Sequence, residues 1–147
     1  MNTPKEVVDI VSTLAEAKGQ YKIKKTLMLA FLAGAYVAFG GLLAIIVGGG
    51  SPGIAAENPG ITKFIFGATF PLGLILVVVV GAELFTGNNA YFIPNVLNKK
   101  QSIGVVLKNW GLVYIGNFIG AIFVAYVVTY LTHIVSSSPY TDSVHQL

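Results

Sequence analysis

The chain alternates between long runs of apolar residues and short segments rich in glycine, lysine or amide side chains. The first run, residues 26–47, has 22 residues and no charged side chain. At about 1.5 Å per residue it reaches roughly 33 Å, enough for the hydrocarbon core of a bilayer. Further apolar runs cover 63–97, with an interruption, and 103–135. The pattern predicts an all-α membrane protein with three transmembrane helices.

The second run is interrupted at 81–89 by two glycines, a carboxylate, a hydroxyl and two amides, namely Gly81, Glu83, Thr86, Gly87, Asn88 and Asn89. Irregular backbone is tolerated inside a membrane only where protein buries it or where it lines a cavity. Glu83 is the only carboxylate between Glu57 and Asp142, and an ionisable residue at that depth indicates a functional site. We interpret 81–89 as a pore loop that breaks the second helix and faces a pathway for solute.

Residues 1–25 have the pattern of an amphipathic helix. Thr3, Pro4 and Glu6 form a helix-start signature, and apolar residues then recur with helical periodicity. Both a short soluble helix and a helix lying at the membrane surface fit this pattern, and the basic cluster that follows favours the second. That cluster comprises Lys18, Lys22, Lys24 and Lys25.

The third run contains a helix-packing motif. Gly116 and Gly120 are four residues apart with Asn117 between them, and such small residues let two membrane helices approach closely. We expect Asn117 to make a hydrogen bond between helices rather than to bind solute. Lys108, Asn109 and Trp110 near the start of this run are typical of a membrane interface.

Composition supports a membrane protein and excludes several functions. The chain is 54% hydrophobic and 10% charged, against about 25% charged in soluble domains. Its basic residues are nine lysines without arginine, and it has no cysteine. These features argue against nucleic-acid binding and against thiolate chemistry. We find no catalytic or metal-binding motif, and we expect no enzyme activity, no metal and no cofactor.

The lysines also predict an orientation. Eight of them lie near the N-terminal segment and the turn after residue 97, whereas Lys63 alone lies on the other side. Lysines are enriched on the cytoplasmic side of membrane proteins. The chain is therefore predicted to be a multi-pass protein of the cell membrane, with a cytoplasmic N-terminus and an external tail at 136–147.

Several motifs together resemble the formate/nitrite transporter family. The resemblance rests on the segments Gly81-Ala-Glu-Leu-Phe-Thr86, Phe70-Pro-Leu-Gly-Leu-Ile-Leu76 and Lys108-Asn-Trp-Gly-Leu-Val-Tyr-Ile-Gly-Asn117, with Thr3-Pro-Lys-Glu6 as lead-in. It covers nearly the whole chain. The form Phe-Thr-Gly-Asn-Asn is similar to the archaeal formate-transporter branch.

The resemblance implies a fold and a set of site residues. The family forms pentamers of six-helix protomers, each like an aquaporin with two inverted halves. By motif, Thr86 would be the pore-loop hydroxyl, while Leu84, Phe85 and Leu74 would form the cytoplasmic constriction and Phe70 the outer one. An apolar ring of this kind resists hydrated ions. Phe70 and Phe85 would otherwise be packing aromatics. Residues with a structural role in the loop would be Gly81, Glu83, Gly87 and Asn88, with Glu83 capping amide groups or pairing with a lysine.

The chain has about half the length of the family. The family's central histidine and pore-mouth lysine belong to its second half, and nothing here replaces them. We therefore expect this chain to be the N-terminal half of such a channel, as a truncated product or as one of two polypeptides. It would form a homo-oligomer, a pentamer if the second half is supplied. Inverted pairing of two copies is disfavoured by the lysine asymmetry.

The leading hypothesis for function is transport of a small monovalent anion, formate first, through a pathway built around the broken helix. Nitrite and hydrosulfide are alternative substrates. A non-conducting truncated half or membrane scaffold is the other alternative. An aquaporin-type pore for neutral solutes is disfavoured because the Asn-Pro-Ala boxes are absent.

Overall fold

A computed structural model describes residues 2–145. Within that range the chain is all-helical and contains α1 (Pro4–Gly19), α2 (Ile23–Gly49), α3 (Pro52–Glu57), α4 (Pro59–Thr69), α5 (Leu72–Val80), α6 (Phe85–Leu97), α7 (Ile103–Phe123) and α8 (Tyr140–His145). A π-helical segment, Val124–Tyr130, extends α7 without a break.

Among residues 2–145, three helical stretches are long and apolar enough to cross a membrane. They are α2, the pair α4–α5 (Pro59–Val80) and α7 with its π-helical extension (Ile103–Tyr130). The prediction of an all-α membrane protein with three apolar spans is confirmed at this level.

Several boundaries differ from those expected from the sequence. The interruption after α5 covers only Gly81–Leu84, because α6 begins at Phe85 and runs for 13 residues. The predicted loop 81–89 is therefore too long. The helix of the second span begins at Pro59 rather than at 63, and the third span ends its regular helix at Phe123 and its π-helical part at Tyr130 rather than at 135. Within the predicted tail, α8 packs against the glycine-rich end of α2.

The N-terminal helix α1 starts with a capping box. The Thr3 hydroxyl accepts a hydrogen bond from the Glu6 backbone N–H, and the Thr3 backbone N–H donates to the Glu6 carboxylate at 2.6 Å. These two bonds satisfy donors that a helix start leaves free. The backbone N–H of Thr3 lowers the pKa of Glu6 below its usual value, and the Thr3 hydroxyl adds to the effect.

Helix α2 is the centre of the molecule and packs against α4, α5 and α7. Glycines make these contacts close. A Cβ at Gly34 would overlap the backbone of Asn117, and one at Gly120 would overlap the carbonyl of Phe31. Gly116 sits against Ala30 of α2. The Gly116–Gly120 stripe therefore faces α2, which holds the backbones of α2 and α7 together.

Helix α1 docks on α6 and on the turn that follows α6 through polar and apolar contacts. The Asn95 amide donates to the Ser12 carbonyl at 2.9 Å, and the Gln101 amide donates to the Ala15 carbonyl at 3.0 Å. Ala15, Phe92 and Val106 form a buried cluster beside these bonds. The docking brings the last turn of α1 to the interruption between α5 and α6.

The outer faces of α4 and α5 carry exposed apolar side chains. Val78 and Val79 are 70% and 78% exposed, and Phe64 is 74% exposed. Side chains of this type are stable beside lipid tails or against another apolar protein surface.

Candidate functional site

The site is built around Gly81–Leu84, which we call the break. Helix α5 stops there because Gly81 adopts a left-handed conformation with φ of 67°. The Ala82 N–H donates to the Val77 carbonyl at 2.9 Å, and the Gly81 N–H donates to the Val78 carbonyl at 3.2 Å. This pair of bonds is a Schellman motif, in which glycine avoids the Cβ clash of a left-handed residue.

Helix α6 restarts without a side-chain cap of its own. Its N-cap residue Leu84 has no side-chain oxygen. Instead, the Asn117 side-chain oxygen accepts the Phe85 N–H at 2.9 Å, and its amide group donates to the carbonyls of Ala30 at 2.7 Å and Glu83 at 2.8 Å. The Glu83 N–H donates to the Leu29 carbonyl at 3.3 Å. The break is therefore fixed to both α2 and α7.

The Glu83 side chain is completely buried and lies in a polar network. Its carboxylate forms an ion pair with Lys18 from α1 and accepts a hydrogen bond from the Asn88 amide at 2.7 Å. The same Asn88 amide donates to Asn109 of α7 at 2.8 Å. The Lys18 ammonium also lies 5.3 Å from the centre of the Tyr91 ring. The positive charge of Lys18 offsets the negative charge that burial of Glu83 places in an apolar region.

An open pocket of about 370 Å³ borders this network. It brings together Leu74, Gly81, Leu84, Gly87 and Asn88 with Lys18. Asn88 is 1% exposed, and its side-chain oxygen accepts no hydrogen bond from residues 2–145. The pocket combines apolar walls with a cation and an amide, which is the usual make-up of a small-ligand site.

Three of the predicted pathway residues lie outside the lining of this pocket. Thr86 is exposed on the first turn of α6. Phe85 packs edge-on against Tyr114 and Trp110, with ring centres 5.5 Å and 6.3 Å apart. Phe70 is 44% exposed at the junction of α4 and α5. The roles of these residues as pore hydroxyl and gates remain predictions.

Two members of the network, Lys18 and Asn109, cannot be assigned to it from the sequence. The sequence pattern predicts a basic cluster for Lys18 and an interfacial position beside Trp110 for Asn109. Pairing with a lysine is one of the two roles expected for Glu83, because ionisable residues within a membrane usually pair with one another, and the structure shows that pairing with Lys18. The sequence contains several lysines that could form this pair, and only the docking of α1 on α6 selects Lys18.

The family model and the known proteins that resemble this chain point to the same family. Residues 5–147 match the family model described as formate/nitrite transporter. A probable formate transporter of Methanothermobacter thermautotrophicus is 44% identical over 94% of this chain and 50% of its own length. The formate channel BtFdhC of Bacillus thuringiensis is 38% identical over 87% of this chain and 48% of its own length. The formate channel FocA of Haemophilus influenzae is 34% identical over 86% of this chain and 43% of its own length. The chain thus spans about half the length of these relatives.

Proposed function

Because this chain belongs to the formate/nitrite transporter family, we propose that it forms one wall of a membrane pathway for a small monovalent anion, with formate as the first substrate to test. The observation that carries the proposal is the break itself. It directly follows the apolar stretch Pro59–Val80 and lies beside an open pocket, and its backbone is held in place by neighbouring helices.

The polar groups around the break suit an anion. Thr86 presents an exposed hydroxyl on the first turn of α6, where the helix dipole favours negative charge. Inside the membrane, half-helices of this kind are used to face anionic substrates. The buried charge of Glu83 is offset by Lys18, so that this carboxylate repels an approaching anion less than a free one would.

The apolar side chains suit a barrier to hydrated ions. Leu74 and Leu84 line the pocket, and Phe85 is held by its edge-on contacts with Tyr114 and Trp110. An apolar constriction admits a small solute that sheds its water and excludes larger hydrated ions.

The facing wall of the pathway is proposed to come from a second three-helix unit, as the two inverted halves implied by the family resemblance would supply. The exposed faces of α4 and α5 would then pack against that unit, against lipid or against neighbouring protomers of an oligomer, with a pentamer as the assembly to test. We further propose that α1 lies on the cytoplasmic side and that the segment after α7 lies outside.

Uptake of labelled formate into proteoliposomes tests this proposal. The chain is reconstituted alone and together with the second half of the Methanothermobacter thermautotrophicus relative. We expect formate uptake above that of empty vesicles when both halves are present. In that pair, Thr86→Val should lower uptake by about two- to tenfold, the effect of one lost hydrogen bond of about 0.5–1.5 kcal/mol.

The matched control is Thr69→Val in α4. The Thr69 hydroxyl donates to backbone carbonyls of its own helix at 2.9 and 3.1 Å, so its loss should leave uptake unchanged. Absence of formate and nitrite uptake from both preparations, with the proteins folded and inserted, would refute transport and favour a non-conducting scaffold.

A further inference from the structure

The break lacks the regular hydrogen bonds of a continuous helix, and Ala82 and Glu83 within it are buried, so its backbone polar groups need partners. We propose that Asn117 is the positioning residue of the site: its single amide holds the break and sets the register of α6, which determines where Thr86 and Leu84 point. This inference rests on the proposed function for its meaning in transport. Its structural content can be tested without transport.

The hydrogen bonds of Asn117 need both a donor and an acceptor on one short side chain. Its oxygen accepts the N–H of Phe85, the first residue of α6, while its nitrogen donates to the Glu83 carbonyl on the other side of Leu84. A leucine of similar shape would satisfy neither group. An ionised aspartate would keep the acceptor and lose the donor. Each change therefore has a different expected result.

Contacts with α2 fix the position of the Asn117 side chain. Asn117 also donates to the Ala30 carbonyl of α2 at 2.7 Å, and Gly34 of α2 lies directly against the Asn117 backbone. Gly116, the preceding residue, is in contact with Ala30. Because the two helix backbones are this close, the Asn117 side chain has little freedom to follow the break if the break moves.

The other buried amides of the site act on side chains. Asn88 bonds the carboxylate of Glu83 and the side chain of Asn109. Within residues 2–145, the side-chain hydrogen bonds to the backbone of residues 81–85 come from Asn117. Loss of the Asn88 side chain would therefore disturb the polar network around Glu83, whereas loss of the Asn117 side chain would free the backbone of the break.

The test uses the absence of cysteine from the chain. A single thiol is introduced by Thr86→Cys, and the rate of its modification by a small charged methanethiosulfonate reagent is measured on folded, monodisperse protein. This rate is then measured with Asn117→Leu added. We expect it to change by about tenfold or more, which corresponds to the loss of the bonds that fix the first turn of α6. The control is Asn98→Leu at the exposed end of α6, which should leave the rate unchanged.

Asn117→Asp supplies a pH profile that a change in stability alone would not produce. At acidic pH the protonated carboxyl can accept from Phe85 and donate to one carbonyl, so the labelling rate should match that of the Asn117 parent at the same pH. At higher pH the donor is lost, and the rate should approach that of Asn117→Leu. If Asn117→Leu does not fold, the comparison of Asn117→Asp labelling rates at acidic and at higher pH still tests the proposal.

An unchanged labelling rate in Asn117→Leu, or a pH-independent ratio in Asn117→Asp, would overturn the proposal. Failure of the wild-type pair of halves to take up formate would refute the proposed function and would leave the labelling result intact. Success in both, with Asn117→Asp transporting only at the pH where its labelling rate matches that of the parent, would join the positioning role to transport.

Discussion

Glu83 is a fully buried carboxylate in the break between the apolar helix α5 and helix α6. Its charge is offset by one ammonium group, that of Lys18, which belongs to a helix 65 residues away in sequence. Removing one member of a buried ion pair leaves the other charge without compensation, which costs more than the pair itself contributes.

We therefore expect Lys18→Met to destabilise the folded protein by about 3–5 kcal/mol. The double variant Lys18→Met with Glu83→Gln should recover at least half of that loss, because no unpaired charge remains. Thermal unfolding in detergent, followed by circular dichroism, measures both values.

Lys22→Met is the control, since Lys22 is exposed and close in sequence. Its stability should stay within about 0.5 kcal/mol of the wild type. A double variant less stable than Lys18→Met would show that the ion pair is not what makes Lys18 important.

Residues in and next to the break could be identified from the sequence, but their partners could not. Gly81 and Glu83 in the break, and Thr86 just after it, are visible as polar or flexible residues in an apolar run. Lys18 and Asn109 were missed because their contacts depend on how α1 and α7 dock against α6. Asn117 was expected to bond between helices, and the structure adds two bonds to the break that no local pattern encodes.

The contact between α2 and α7 depends on glycines that leave no room for a side chain. A methyl group at Gly34 would overlap the backbone of Asn117. Backbone cannot move aside as the end of a side chain can, so the two helices would have to separate.

We expect Gly34→Ala to destabilise the protein by about 1–3 kcal/mol, the usual cost of overpacking. Gly111→Ala in α7 is the matched control, because a methyl group there meets no atom within 4 Å. It should be neutral or slightly stabilising, since alanine favours a helix by up to about 1 kcal/mol. Unfolding midpoints in detergent compare the two. Equal midpoints would argue against a close contact between these helices.

Helix positions were predictable where hydrophobicity decides them. The three spans follow from runs of apolar side chains. The end of α5 and the start of α6 do not, because one depends on a left-handed glycine and the other on an amide from another helix. The expected loop was therefore longer than the observed break.

The molecule as a whole has a strongly asymmetric distribution of charge. Its lysines are concentrated at one end of the spans, and Lys63 alone lies at the other end. Positive charges near span ends resist transfer across the membrane during insertion, and this asymmetry underlies the orientation that we propose.

Single cysteines test that orientation in whole cells. Gln20→Cys lies between α1 and α2, and Gly53→Cys lies in α3, where a side chain meets no neighbouring atom. We expect a membrane-impermeant maleimide to label Gly53→Cys in intact cells and Gln20→Cys only after permeabilisation. The cysteine-free parent gives the background, and labelling of Gln20→Cys in intact cells would contradict the orientation.

The side chain of Asn117 holds the backbone of the break, and exposed residues near the break are not needed for that task. Asn117 and the two segments that it binds all lie within this one three-helix unit. A unit of this kind can be duplicated and inverted without new contacts for its break, because each copy carries its own asparagine with these hydrogen bonds. Exposed residues such as Thr86 and Leu74 take no part in these hydrogen bonds. In the pathway that we propose, substitution there is therefore expected to change which solute passes while the course of the chain stays the same.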